Sequence, residues 1–289
     1  MSTSPPSQVS HWLSGLSTAS SKVLMPAEIE GYRRAQQLAF GCAQAVASVM
    51  SPGWTEGETG RWMVDWLHNH GVRAHLHRPI VAFGPRTCAP TGQWGPARGI
   101  GATLQENDVV MLDCAPVVDG YTGDIAYTIG VGQNPELEQA QNFLSDLRQR
   151  LVQCFSNAET VNDVYAWVDR EITAAGYENA ADGYPGEVLG HRVYRHGPLT
   201  SRISWFLPEK PFGPVASWHG PGFLFKLIRR MIEPELLTPS HHGSKTGIWA
   251  IEPHLRAGSF GCKFEELLVV EPGRAFWLDD MSQKRITIA

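Results

Sequence analysis

Two aspartates lie in segments where an ionised side chain is costly. Asp113 ends the apolar run 109–112, and Asp124 follows residues 120–123, Gly-Tyr-Thr-Gly. A carboxylate in a buried strand is strongly destabilising unless a cation or a proton compensates it. If the chain turns near residues 118–120, Asp113 lies opposite Asp124 or one diagonal step away, and both side chains share one face. This pair predicts a metal ion or a shared proton; a surface-facing pair on a half-exposed hairpin is the alternative.

The same anomaly occurs twice more along the chain. Glu252 follows the apolar run 247–251, and Glu265 lies in the largely apolar stretch 264–270. Together with His191, the candidate donors are four carboxylates and one imidazole. Such an oxygen-rich set suits Mn, Fe or Co better than a structural zinc site, which usually takes sulfur. Two divalent ions would balance the four negative charges.

The first half of the chain is predicted to form two helices followed by strands. Apolar residues at three- and four-residue steps predict a long helix from Pro26 that ends at residues 51–53, Ser-Pro-Gly. A capping box at residues 55–58 begins a second helix, which ends at Gly71. Strand-like alternation covers 72–83, and the Gly- and Pro-rich stretch 84–101 predicts an irregular loop long enough to be functional.

Two apolar strands at 108–115 and 121–131 are predicted to form a hairpin that completes the first half. The second half is predicted to repeat this order. Helices at 136–155 and 161–175 and strands at 247–251 and 264–270 follow. We therefore expect an α+β fold: one domain over residues 26–289, with a flexible extension at 1–25 and an insert at 197–246.

Composition excludes several classes of protein. The chain has 289 residues, of which 43% are hydrophobic, and its 24 basic and 29 acidic residues give a net charge of -5, so it offers no basic field for a nucleic acid. We expect no transmembrane segment, because no apolar run approaches the roughly 20 residues needed. The five cysteines contain no C-x-x-C pair, and the first 21 residues do not resemble a signal peptide, so we expect reduced thiols and a cytoplasmic protein.

The candidate donors, in this order and spacing, resemble a known superfamily. Asp113 and Asp124 within a hairpin, then Gly190-His191, Ile251-Glu252-Pro253 and Phe264-Glu265, look like the methionine aminopeptidase, Xaa-Pro aminopeptidase and creatinase superfamily. The resemblance extends over about residues 27–275. It implies the pita-bread fold, in which two pseudo-symmetric helix-helix-strand halves surround a curved antiparallel sheet.

The resemblance also implies a role for each donor. Asp113 would hold one metal ion, His191 and Glu252 the other, and Asp124 and Glu265 would bridge the two. A hydroxide between two divalent ions would attack an amide carbonyl that the metals polarise, and Glu252 would assist proton transfer. The expected activity is that of an aminopeptidase-type hydrolase, acting on a peptide or a small-molecule amide. Homodimers are common among similar proteins, so a homodimer is a possible assembly.

Some positions depart from the superfamily pattern. The loop before Asp113 lacks the usual substrate-facing histidine, and Trp94 lies about where it would be. Arg192 and Tyr194 replace two small residues beside His191. We expect these changes to preserve metal binding and to alter the substrate. The sequence pair His75-x-His77 would suit a metal, but we expect partially buried or surface histidines there.

The candidate substrate and catalytic residues are assigned from their places in the sequence. His196 is the first histidine after His191, and we assign it, with Glu252, to the catalytic set; His219, Trp94 and Tyr194 are assigned to substrate binding. The insert is expected to act as a lid, with an oligomer contact or a lipid-facing surface as alternatives. Two other functions stay open: a repurposed metalloenzyme that uses iron and oxygen on a non-peptide small molecule, and a non-catalytic binding module.

Overall fold

Two pairs of helices alternate with groups of strands along the chain. A computed structural model describes residues 24–90, 101–184, 187–196, 236–240 and 244–279. The helices are α1 (Pro26–Ala47), α2 (Glu56–Asn69), α3 (Pro135–Asn157) and α4 (Val161–Ala174). The strands after the first helix pair are β1 (Ala74–Phe83), β2 (Val109–Val118), β3 (Tyr121–Thr122) and β4 (Ile125–Gly130). Those after the second pair are β5 (Glu178–Asn179), β6 (Gly190–Val193), β7 (Gly247–Ile251), β8 (His254–Ala257), β9 (Phe260–Glu271) and β10 (Arg274–Trp277).

The helix starts follow local capping chemistry. At the start of α2, Thr55 Oγ1 accepts a hydrogen bond from the Glu58 backbone N–H at 3.2 Å, and Glu58 Oε2 accepts one from the Thr55 N–H at 2.9 Å. Before α3, Asn134 Oδ1 accepts a hydrogen bond from the Leu137 N–H at 3.0 Å. These bonds satisfy backbone donors that a helix leaves unpaired. The predicted starts of the four helices agree with the structure to within one residue.

Ten strands among the described residues form one antiparallel sheet that curls into a half-barrel. Its main path is β1-β2-β4-β9-β7-β6, and β10 and β8 pair with further parts of the long strand β9. The two halves of the chain join where β4 pairs with β9, through Ala126 opposite Glu265 and Tyr127 opposite Phe264. The paired helix-helix-strand halves that the sequence predicts are therefore present.

The sequence predicts fewer strands than the structure contains. Strands β5, β6, β8 and β10 are missing from the prediction, and β9 begins four residues before the predicted start at 264. For β8 and the start of β9, the cause is a tight turn at Gly258, whose φ of 59° suits glycine, between two runs too short to show a clear alternation. In the predicted loop 84–101, residues Gly84–Cys88 form a 3₁₀ helix.

Parts of two predicted segments lie outside the described residues. They are 1–23 of the extension and 197–235 with 241–243 of the insert. At the described end of the insert, Leu236 forms a bridge with His191, and the Leu237 N–H donates to the Gly190 carbonyl at 2.7 Å. None of the described helices combines the length and apolar character that a bilayer-spanning segment needs.

Helices cover the faces of β2 and β9 that lie behind the candidate carboxylates. On β2, Val110, Leu112 and Cys114 pack with residues of α1 and α2, so Cys114 belongs to the core. On β9, Phe264 and Leu268 pack with residues of α3 and α4. Because side chains alternate between faces along a strand, the intervening residues point to the opposite, concave face. The candidate carboxylates of β2 and β9 lie on that face.

The hairpin between β2 and β4 fixes the relative position of the two aspartates. Asp119 and Gly120 have φ angles of 52° and 83°, as a two-residue type I′ turn requires. The register that follows places Asp113 opposite Ala126, so Asp124 lies one diagonal step away and on the same face. The predicted arrangement of the pair is confirmed.

A glycine allows the hairpin to contact the first helix. A Cβ atom added to Gly123 would overlap the backbone of Ala35 in α1. The small residue directly before Asp124 therefore lets α1 pack against the hairpin, which fixes the backbone at Asp124.

A buried ion pair joins α3 to the helix-covered face of β9. Arg148 donates to both carboxylate oxygens of Glu266, at 2.9 and 2.6 Å, and the two side chains are 8% and 1% exposed. Glu266 is adjacent to Glu265, so alternation sends these two acids to opposite faces of the strand. This pair anchors β9 behind the candidate site.

We expect Arg148→Met to lower the free energy of unfolding by about 3–5 kcal/mol, because it leaves Glu266 buried without a partner. The double variant Arg148→Met/Glu266→Gln should recover a large part of the loss, since no uncompensated charge remains. Urea unfolding followed by circular dichroism measures both. Equal destabilisation of the single and double variants would show that packing, and not charge, dominates.

Candidate metal centre

The structure brings all five predicted donors to one place on the concave face. Each comes from a different part of the sheet: Asp113 from β2, Asp124 from the residue before β4, His191 from β6, Glu252 from the residue after β7 and Glu265 from β9. Strand pairing explains the convergence. Asp113 and Glu265 both lie directly opposite Ala126, from its two neighbouring strands, and the small Ala126 side chain leaves space between their carboxylates.

Three carboxylates alternate with three nitrogen groups in a closed ring. Each nitrogen lies between oxygens of two different carboxylates, and each carboxylate presents one oxygen to each of two nitrogens. The six members, in order around the ring, are His77, Asp113, Lys263, Glu265, His191 and Asp124. Two of the three nitrogen groups were not among the residues predicted from the sequence.

Asp124 is the carboxylate that most clearly requires a cation. It is fully buried, and neither of its oxygens accepts an aligned hydrogen bond from any described residue. Burial alone would raise its pKa, but the imidazoles of His191 and His77 hold the pKa below its usual range. An ionised, buried carboxylate with two unsatisfied oxygens fits a metal ligand.

Burial makes ionisation of the other two ring carboxylates, Glu265 and Asp113, less favourable. Burial, followed by the negative charge of Asp124, raises the pKa of Glu265 well above its usual range. Burial also raises the pKa of Asp113, although Lys263 and His77 oppose the shift. Close negative charges in an apolar site favour either a shared proton or a bound cation.

His191 lies between Asp124 and Glu265. Its Nε2 is 3.2 Å from Asp124 Oδ2 and 3.7 Å from Glu265 Oε1, and the three donor atoms lie within 4.8 Å of one another. Burial would lower the pKa of His191, but Asp124 and Glu265 together raise it to about 10. This group has the donor chemistry of a divalent metal site.

His77 lies on the other side of Asp124 and is half-buried, as expected, but its ring faces two of the predicted donors. Its Nε2 is 3.4 Å from Asp113 Oδ1 and 3.7 Å from Asp124 Oδ1, and these atoms form a second group within 4.8 Å. Burial would lower the pKa of His77, but Asp113 and Asp124 raise it to about 10. The only signal in the sequence is the His-x-His pair on a predicted strand.

Lys263 supplies the third nitrogen, and sequence reasoning missed it. Its side chain is 1% exposed, and Nζ lies 3.1 Å from Glu265 Oε2 and 3.4 Å from Asp113 Oδ2. It also donates to Glu252 Oε2 at 2.9 Å and to the Tyr184 hydroxyl at 3.2 Å. Alternation places Lys263 on the same face as Glu265, two residues later, which is the signal that could have identified it.

The residues assigned to the substrate lie in different positions. The guanidinium of Arg192 stacks over the Trp249 ring at 4.7 Å, and Trp249 packs with residues of α3 and α4, so Arg192 projects from β6 on the side opposite to His191. The electrostatic contact between Tyr194 and Arg192 indicates that Tyr194 lies close to that guanidinium. The His196 backbone N–H donates to the Gly120 carbonyl at 2.7 Å, and its side chain is half-buried.

Trp94 and His219, the other two residues assigned to the substrate, lie outside the described residues. Their roles stay predictions.

Comparison with known proteins identifies relatives over most of the chain. The model of metallopeptidase family M24 matches residues 30–272. Methionine aminopeptidase A of Synechocystis is 26% identical over 171 residues, which cover 57% of this chain and 64% of that protein. The uncharacterized peptidase YqhT of Bacillus subtilis is 25% identical over 181 residues, which cover 62% of this chain and 50% of that protein.

Solved structures support the same fold. X-Pro aminopeptidase from Thermotoga maritima matches with a TM-score of 0.64 at 15% identity, covering 94% of this chain and 64% of that one. Prolidase from Pyrococcus furiosus matches with a TM-score of 0.63 at 18% identity, covering 89% and 65%. The predicted pita-bread fold is confirmed. The chain spans less than two thirds of the length of each of these relatives.

We expect Lys263→Met to destabilise the metal-free protein by about 3–5 kcal/mol, because three buried carboxylates lose their permanent cation. Saturating Mn²⁺ should recover part of this loss by supplying positive charge to the same carboxylates. Urea unfolding with chelator and with Mn²⁺ measures both values. An equal loss under the two conditions would show that the lysine acts through packing alone.

Proposed function

The chain belongs to metallopeptidase family M24, and on that basis we propose that it is an aminopeptidase-type hydrolase with a centre of two divalent metal ions. It would release an amino-terminal residue from a peptide or cleave a similar amide bond. The observation that carries this proposal is Asp124, a fully buried carboxylate with two unsatisfied oxygens between two imidazoles.

The charge of the site supports two ions. Four carboxylates and the ammonium of Lys263 leave an excess of three negative charges when both imidazoles are neutral. One divalent ion would leave this excess partly uncompensated in a buried site, which is costly. Two divalent ions carry four positive charges, one more than the excess of three, and one anionic ligand such as hydroxide would balance that charge. The mixture of carboxylates and imidazoles suits Mn, Fe or Co.

Bound divalent ions would lower the pKa of a water molecule and polarise the scissile carbonyl. The protein's own residues would orient the reactants and move the proton. Lys263 holds Glu252 Oε2 at 2.9 Å and so fixes this carboxylate beside the ring. We infer that Glu252 accepts the proton of the attacking water and passes it to the leaving amine.

The substrate would approach from the open side of the ring. We propose that His196, which follows β6, contributes to this side, together with Trp94 and His219, whereas Tyr194 lies near Arg192 and does not. The half-buried His196, whose pKa burial lowers, would offer a neutral imidazole to a substrate carbonyl or amine.

A specific observation favours one alternative function. Asp124 lies between His77 and His191, and two histidines with one carboxylate are the ligands of many iron-dependent oxygenases. We therefore retain, as a second candidate, an iron- and oxygen-dependent enzyme that acts on a non-peptide small molecule.

We expect metal-free protein reloaded with Mn²⁺, Co²⁺ or Fe²⁺ to release amino-terminal residues from a panel of Met-X and X-Pro peptides, detected by mass spectrometry. Asp124→Asn should abolish both metal binding and cleavage. Asp119→Asn, in the exposed turn of the same hairpin, is the matched control and should retain full activity. Oxygen consumption with iron, in place of peptide cleavage, would favour the second candidate.

Glu252→Gln should lower kcat by about 10²–10⁴-fold, as expected for loss of a general base, with a smaller effect on metal content. Steady-state kinetics and metal analysis of the purified variant measure the two effects. A variant with normal kcat would exclude Glu252 from proton transfer.

A further inference from the structure

The ring has three nitrogen corners, and they differ in what they can bind. Lys263 is an ammonium with four acceptor oxygens within 3.4 Å, so it has no lone pair for a metal. His77 and His191 can each offer a ring nitrogen to a metal. Two corners of the ring can therefore hold an ion between an imidazole and two carboxylates.

In both imidazoles, Nδ1 faces a backbone carbonyl, which leaves Nε2 available to bind a metal. His77 Nδ1 is 2.9 Å from the Arg78 carbonyl, and His191 Nδ1 is 3.4 Å from the Arg192 carbonyl. Because a carbonyl only accepts, Nδ1 carries the proton in each ring, and the lone pair of the neutral imidazole is on Nε2. In both cases Nε2 faces the ring carboxylates, as in histidine ligands oriented by a second hydrogen bond.

The backbone of β1 turns His77 towards the ring. The pairing of β1 with β2 is irregular on both sides of this residue, between His75 and His77 and between His77 and Ile80. Such irregularities re-aim side chains near functional sites. The result is that Nε2 of His77 faces Oδ1 of both Asp113 and Asp124, two buried atoms that accept no hydrogen bond from the described residues.

We propose that His77 is a sixth metal ligand, which binds one divalent ion together with Asp113 and Asp124, while His191 binds the second ion with Asp124 and Glu265. This assignment rests on the proposed two-ion centre and adds a nitrogen donor to the ion on the β1 side. With one imidazole for each ion, the centre favours Fe²⁺ or Co²⁺ over Mg²⁺ and Mn²⁺ at both positions.

The test is a Co²⁺ titration of the full chain after treatment with chelator, followed by calorimetry and by the visible absorption of bound cobalt. The wild-type protein should bind two ions. His77→Ala and His77→Gln should each weaken one of the two sites by at least about tenfold and change the cobalt spectrum, while the other site is retained. His75→Ala, two residues away on the same strand, is the matched control and should behave as wild type.

The possible results separate the two proposals. Wild-type affinity at both sites in the His77 variants, with an unchanged spectrum, would overturn the assignment of His77. Binding of fewer than two ions by the wild-type protein would overturn it together with the two-ion centre. Two bound ions without peptide cleavage would overturn only the proposed activity, and the His77 variants would still decide the ligand. Near-ultraviolet circular dichroism verifies that each variant is folded.

Discussion

The burial of several carboxylates on one face of a sheet is the constraint on which the rest of the structure depends. Like charges in an apolar site repel one another and lose their hydration, and the loss is recovered only when cations lie between them. The nitrogen groups that approach these carboxylates come from three strands, β1, β6 and β9. The fold must therefore hold strands from both halves of the chain at fixed distances around the charged ring.

The layered architecture supplies that rigidity. Helices pack behind β2 and β9 through continuous apolar clusters, which leaves the opposite side of these strands free for polar residues at the ring. Strand β9 shows the division most clearly: Glu265 belongs to the ring, whereas Glu266 is anchored to α3 by Arg148. At the hairpin, Gly123 permits close packing against α1, and Ala126 keeps the space between two carboxylates open.

The sequence predicts those parts of the site that depend on regular local structure. The hairpin register could be predicted because a two-residue turn and the period of two determine which side chains share a face. His77 could not, because its orientation depends on an irregularity in strand pairing that has no distinct composition. Lys263 was missed because a lysine is rarely buried unless it is paired, and its partners come from distant segments. The orientation of Arg192 could not be predicted either, because the side of β6 that it occupies depends on pairing with β7.

The position of Glu252 relative to the ring separates its chemistry from that of the other carboxylates. Asp113, Asp124 and Glu265 each face two nitrogens of the ring, whereas Glu252 is not a ring member and contacts one of them, Lys263. A carboxylate held by an ammonium keeps a fixed orientation without committing all of its oxygens to a cation. In a two-ion centre, such a group can bind one ion weakly and still exchange a proton with water. In the proposed two-ion centre, the alternating ring would therefore hold the charges that bind metal, while Lys263 would position the carboxylate that we propose to move a proton.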